Sequence, residues 1–168
     1  MVVNDTGNAD DSNLNDGTCR TSNGRCTLRA AISQANNNVG PDTIHFNIPG
    51  NGVHTIELNG DELPAINDLS GGLTIDGYTQ PGATPNTDPL TFNADIRIEI
   101  DGGRNEHSFV IQAPENTFRG LSAYNSKHSF YFVNENADGN VVVGNIIGSN
   151  HDTTFEARAG IGLSLIHI

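Results

Sequence analysis

Two Ile-Asp-Gly segments hold the carboxylates that come nearest to a catalytic arrangement. In LTIDG (73–77) and IEIDG (98–102), Asp76 and Asp101 close an apolar-alternating run at the same position, with Glu99 beside the second. Read as equivalent points of a repeat, they would pair as general acid and base, as in glycoside hydrolysis. The nearest cations are Arg97, Arg104 and Arg119. A plainer reading is a strand that ends in a turn, where Asp makes an Asx turn and Gly accepts a positive φ. That reading needs no substrate and is preferred, so no catalytic residue is assigned.

Other groups are weighed in the same way. Asp10, Asp11, Asn13, Asn15 and Asp16 crowd hard oxygen donors of the kind Ca²⁺ takes. From Asp11 the spacing approaches the start of an EF-hand, but Gly17 falls one position late and Ser22 stands where the bidentate Glu belongs. A solvated loop rich in Asx turns is preferred; no metal or other cofactor is assigned, and calcium is the only ion the loop suggests. His45, His54, His107, His128 and His151 show neither H-x-x-x-H nor H-E-x-x-H spacing, so surface or turn positions are expected. Ser108, Ser122 and Ser126 lack the context of a nucleophile elbow. Asn140 and Asn145 suit side-chain ladders, a structural role.

Cys19 and Cys26 are the only cysteines, in CRTSNGRC. Asn23-Gly24 at the centre of the gap lets the chain turn back and bring the two Cα atoms within bonding distance. The C-x2-C spacing of a zinc or redox site is absent. A structural disulfide is favoured over two free thiols. It would stabilise by about 2 kcal/mol and would imply an oxidising compartment.

Composition narrows the partners. The formal net charge is −12, from 20 acidic and 8 basic residues, and Lys127 is the single lysine. This speaks against nucleic acid, which needs clustered Lys and Arg, and against an anionic membrane surface. No apolar run reaches spanning length. The length of 168 residues fits one domain, and a monomer is expected. Met1-Val2-Val3 opens no signal peptide. At the other end, Leu163-Ser164-Leu165-Ile166-His167-Ile168 can be encoded by CTG TCT CTT ATA CAC ATC, which resembles a transposon-derived sequencing adaptor. Residues 163–168 are therefore expected to be an artefact, with the natural chain broken near Gly162.

The elements that must position these groups follow from periodicity. In residues 26–36, Leu28, Ala31, Ile32 and Ala35 form an amphipathic stripe, so a helix is expected over 27–37, with Thr27 as N-cap. It is too short to be stable alone and must lay its stripe on the strands that follow. After Pro41 the period becomes two: Ile44-Phe46-Ile48, Ile56-Leu58, Leu73-Ile75, Ile96-Ile98-Ile100, Phe109-Ile111 and Phe130-Phe132 alternate with other residues. LTIDG recurs as IEIDG 25 residues on, and Phe109 to Phe130, Ile111 to Phe132 and Ile100 to Leu121 are each 21 apart. A period a little over 20 with about three short strands is expected of an all-β, parallel β-helix, in which residues one coil apart stack. An antiparallel sandwich would show similar local spacing but hairpin turns instead of the repeat.

CTLRAAISQAN resembles the motif of the CSLREA domain, an N-terminal module of exported bacterial proteins. The Asp-rich DTGNADDSNLNDGTC before it, and IHFNIPG, LPAI and LTIDGYTQPGATPNT after it, fit the same pattern. NVVVGNIIGSN with GIGL (160–163) is similar to the coils of right-handed β-helix repeats. The resemblance covers nearly all of residues 2–162; Ala30 replaces the Glu of the motif. It implies a right-handed parallel β-helix with a short capping α-helix, and export, with a signal peptide upstream. It carries over no catalytic residues.

The expected organisation is a cap over 1–47, coils over 48–162, and the artefact over 163–168. The expected role is a secreted or cell-surface scaffold, adhesin or glycan-contacting module, with polysaccharide or surface glycan as partner. The alternative is a polysaccharide lyase or glycoside hydrolase.

Overall fold

Short alternating runs do form strands here, and they pair in parallel. The computed structural model describes residues 1–133 and 135–151, and the backbone of Leu163 and Ser164. In chain order the strands are β1 (Val2–Val3), β2 (Asp42–Phe46), β3 (His54–Glu57), β4 (Leu73–Asp76), β5 (Ile98–Asp101), β6 (His107–Ile111), β7 (Thr117–Arg119), β8 (Leu121–Tyr124), β9 (His128–Phe132), β10 (Val141–Val143), β11 (Ile146–Ile147) and β12 (Leu163–Ser164). A first sheet runs β1-β2-β4-β7-β10, a second β3-β5-β8-β11, and a third β6-β9-β12. Ile66 extends the third by a parallel bridge to Ile111. The chain therefore visits the first, second and third sheets in that order, and repeats the tour. The helix is α1 (Leu28–Asn37), so the chain is all-β in character, with parallel sheets and one short helix.

Parallel register places like side chains in columns. Ile44, Ile75 and Phe118 align on the first sheet, and Ile56, Ile100 and Ala123 on the second. On the third, Phe109 pairs with Phe130 and Ile111 with Phe132, as the 21-residue spacing predicts. The Phe109 and Phe130 rings stack at 5.2 Å, and Phe118 meets Phe130 edge-on. All of these residues are buried in one cluster that also contains Val3, Leu28, Ile32 and Ile66. The cap over 1–47 and the strands that follow thus share a continuous core.

Two expected registers are corrected. Leu121 lies opposite Ile98, while Ile100 faces Ala123, so the second sheet repeats at 23 and not 21. Corners of different length give each sheet its own period. Gly120 makes the corner between β7 and β8 at φ 69, and a Cβ there would sit 2.7 Å from the Tyr78 amide nitrogen, so the bend needs glycine. Likewise LTIDG and IEIDG do not stack. β4 belongs to the first sheet and β5 to the second, with residues 77–97 looping between them. Asp76 aligns with His45 and Arg119, and Asp101 with Glu57 and Tyr124. The likeness of the two segments is turn chemistry: Asp76 accepts from the Tyr78 amide at 3.1 Å, and Asp101 from the Gly103 amide at 2.9 Å.

The helix starts where expected. Thr27 Oγ1 accepts from the Ala30 amide at 3.1 Å and donates to the Ala9 carbonyl at 2.6 Å. Its stripe of Leu28, Ala31, Ile32 and Ala35 is buried, and the helix packs over β1 and β2. Asn36 donates to the Ala65 carbonyl and accepts from the Asn67 amide, satisfying backbone groups on either side of Ile66. Cys19 and Cys26 form a disulfide with Cα atoms 5.2 Å apart. No helix among the described residues is long and apolar enough to cross a membrane. The expected artefact at 165–168 and most of the GIGL segment lie outside the described residues.

Candidate functional site

Alternation that sends Ile98 and Ile100 inward turns Glu99 and Asp101 outward on the second sheet. Thr55, Glu99 and Ser122 share one level, and Glu57, Asp101 and Tyr124 the next. Glu99 is nevertheless only 5% exposed. Its Oε2 accepts from Thr55 Oγ1 at 2.8 Å and, at 3.5 Å, from the Tyr124 hydroxyl. Its Oε1 accepts from the His151 amide at 2.9 Å and lies 2.6 Å from His151 Nδ1. Burial pushes this carboxyl up, but the bonds from the His151 amide and ring and from Thr55, with the imidazolium charge, outweigh it. Glu99 is held below the usual carboxylate range. Burial, followed by the charges of Glu99 and Asp101, pushes the Tyr124 phenol well above its ordinary value, so it stays a hydrogen-bond donor. A carboxylate so fully satisfied is poorly placed to take or give a proton.

The other sequence candidates are also engaged internally. Asp76 is buried and caps a single 3-10 turn at Gly77–Thr79. Its Oδ2 accepts from Arg119 at 2.5 Å, which holds the guanidinium charged. Tyr78 is raised by burial and by Asp76, against the opposing charge of Arg119. Arg97 makes a two-pronged bond to Asp95 at 3.2 and 2.8 Å, and Arg104 is exposed at a turn with φ 69. Asp101 also accepts from Asn125 Nδ2. Ser108 bonds Ser126, and Ser122 donates to the Ser149 carbonyl.

In the Asp-rich loop the oxygens serve the backbone. Asp11 accepts from the Asn13 and Arg20 amides, Asn13 from Asn15, and Asp16 from Thr18. Asp10 lies 3.9 Å from Arg29. Asn140 does form a ladder, accepting from the side chain and amide of Asn116, while Asn145 accepts from the Leu121 amide and donates to the Phe118 carbonyl.

On the third sheet the situation differs. Register puts His107 beside His128, their rings stacked at 5.4 Å, and Glu106 beside Lys127, with which it forms an ion pair. The Tyr131 ring stacks on His107 at 4.3 Å. Glu106, His107 and His128 each offer one ligand atom, all within 4.8 Å of one another; no other such trio occurs among the described residues. His107 Nδ1 lies 3.4 Å from Glu62 Oε1, which also accepts from the His107 amide at 2.8 Å. His128 Nδ1 is buried with no hydrogen-bond partner.

No family model, curated protein or solved structure matches the chain. Its chemistry is therefore read from these two faces alone.

Sequence spacing missed the histidine pair because helical ligand spacings do not apply to stacked parallel strands. The usable signal was the tripeptide His-Ser-Phe, present at 107–109 and again at 128–130. Arg29 was also missed as a structural pin. It is 7% exposed, and its guanidinium bonds Asn8 Oδ1 and the Asp61 and Glu62 carbonyls, with Asp61 Oδ2 at 3.0 Å.

Proposed function

We propose that the chain is the capped start of a right-handed parallel β-helix of the CSLREA kind, in an exported bacterial protein. There it serves as a secreted or surface scaffold, adhesin or glycan-contacting module. The observation that carries this reading is the ordered tour of three parallel sheets with like side chains in register, closed at one end by a helix beside a disulfide. Parallel strands joined in one direction of travel take the right-handed sense almost without exception. A disulfide favours an oxidising compartment, which fits export.

A contact role is favoured over turnover by the state of the carboxylates. Asp76, Glu99 and Asp101 each bond groups of their own chain, and the arginines nearest Asp76 and Asp95 are tied to them. What stays accessible outside is a polar surface with the His107, His128 and Tyr131 rings half-exposed together. Such rings present flat faces to a sugar. The chain acts as a monomer in this role.

The test is to incubate the intact chain with immobilised neutral and acidic polysaccharides, and separately with polyuronates while following unsaturated product by absorbance. Retention of the protein without product is expected. Product formation would replace this reading with a polysaccharide lyase. Reducing ends released from a neutral glycan would replace it with a hydrolase, and no retention on any glycan would remove the contact role.

A further inference from the structure

We propose that Glu106, His107 and His128 form a binding site for a borderline divalent transition metal ion, with Zn²⁺ as its type, on the outer side of the third sheet. Two imidazoles and one carboxylate are a donor set that suits zinc, copper or nickel better than calcium or magnesium. The pairing is imposed by the fold. His107 and His128 occupy the same register position on adjacent parallel strands, so their separation is set by the ladder and not by side-chain chance. Tyr131 stacks against His107 and fixes the plane of its ring.

Three further observations point to a metal. Glu62 Oε1 faces His107 Nδ1 at 3.4 Å. A carboxylate there takes the Nδ1 proton and leaves the Nε2 lone pair for a metal, the outer-shell arrangement that metal-binding histidines ordinarily have. His128 Nδ1 is buried and unbonded, a polar atom whose desolvation nothing on the protein offsets. Finally, the carboxylate of the trio is neutralised by a cation. Lys127, 60% exposed, pairs with Glu106, 52% exposed, where a metal would otherwise supply the positive charge. Donors in a tetrahedral site with bonds of about 2.0–2.1 Å stand roughly 3.3 Å apart, so the trio must close from within 4.8 Å. Both exposed side chains, Glu106 and Lys127, can rotate to allow it.

Lys127 is then a built-in competitor of the ion, which gives the proposal a test that simple loss of a ligand would not. Zn²⁺ affinity of the intact chain is measured by competition with a chromophoric chelator, with circular dichroism of each variant as a fold check. Binding at one equivalent is expected, with His128→Ala weakening it at least 10-fold and Glu62→Gln by roughly 10-fold. Lys127→Met should tighten it several-fold. Long-range ¹H–¹⁵N correlation should move the His107 and His128 nitrogens on adding Zn²⁺ and leave those of His45 in place. Failure to bind at millimolar Zn²⁺ overturns the site. So does an affinity that His128→Ala leaves unchanged, or one that Lys127→Met fails to raise. If His128→Ala does not fold, the surface variant Lys127→Met and the nitrogen shifts still decide the matter.

Discussion

On the second sheet, stacking sets Glu99 between Thr55 and Ser122, and His151 closes over it. On the third, the same stacking sets Glu106 across from Lys127 and His107 across from His128, with the carboxylate open to solvent. Both faces hold a carboxylate, an imidazole and a tyrosine. The difference lies in what surrounds the carboxylate. Glu99 is buried and meets only donors, so its charge is spent on holding the fold. Glu106 is exposed and shares its charge with a mobile ammonium, so it remains exchangeable. Burial with full pairing turns an acidic side chain into structure, and exposure with a weak partner leaves it open to a ligand.

The sharpest way to break this comparison is Glu99→Gln. Every partner of the carboxylate donates, so an amide must direct its own hydrogens at a donor. The expected loss is about 2–3 kcal/mol, read by urea denaturation; a loss under about 0.5 kcal/mol, the level of an ordinary surface change, would put Glu99 on the same footing as Glu106. Acid should expose the same contrast. The Glu99 pKa is depressed in the folded protein, so its stabilisation is complete above the ordinary carboxyl range of about 4.3 and is lost as pH falls through the lower folded value. Acid unfolding followed by circular dichroism should therefore be less steep below that range in Glu99→Gln than in the wild type. Tyr124→Phe removes one long bond to Glu99 and should cost about 0.5–1 kcal/mol in the same urea assay. The smallest effect is expected for Glu106→Gln. An exposed ion pair contributes about 0–1 kcal/mol, so stability should hold nearly constant while Zn²⁺ affinity falls.

Elements governed by local chemistry were legible in the sequence. Thr27 and the Leu28–Ala35 stripe specified the helix, and CRTSNGRC specified a loop able to close a disulfide. Phe109 and Phe130 specified one register, because identical aromatic positions at 21 residues are hard to place anywhere but in one column. What escaped depends on which segments meet. Asp76 and Asp101 looked equivalent because a strand ending in an Asx turn has the same residues wherever it lies. Arg29 gave no sign of burial, since its acceptors are carbonyls more than 30 residues onward. His107 and His128 became a pair only once the spacing to inspect was that of the sheet.

The loop over 77–97 separates β4 from β5, yet both strands rejoin their ladders with β7 and β8 in regular register. The ladders fix where a strand lies and leave the intervening length unconstrained. Its outer part carries Leu90 and Phe92 at 91% and 59% exposure, clear of the packed interior. Doubling a flexible excursion costs only about 0.6 kcal/mol. That stretch is therefore a natural splice point, where a peptide epitope or a small guest domain can be grafted and carried outward while the layers beneath keep their alignment.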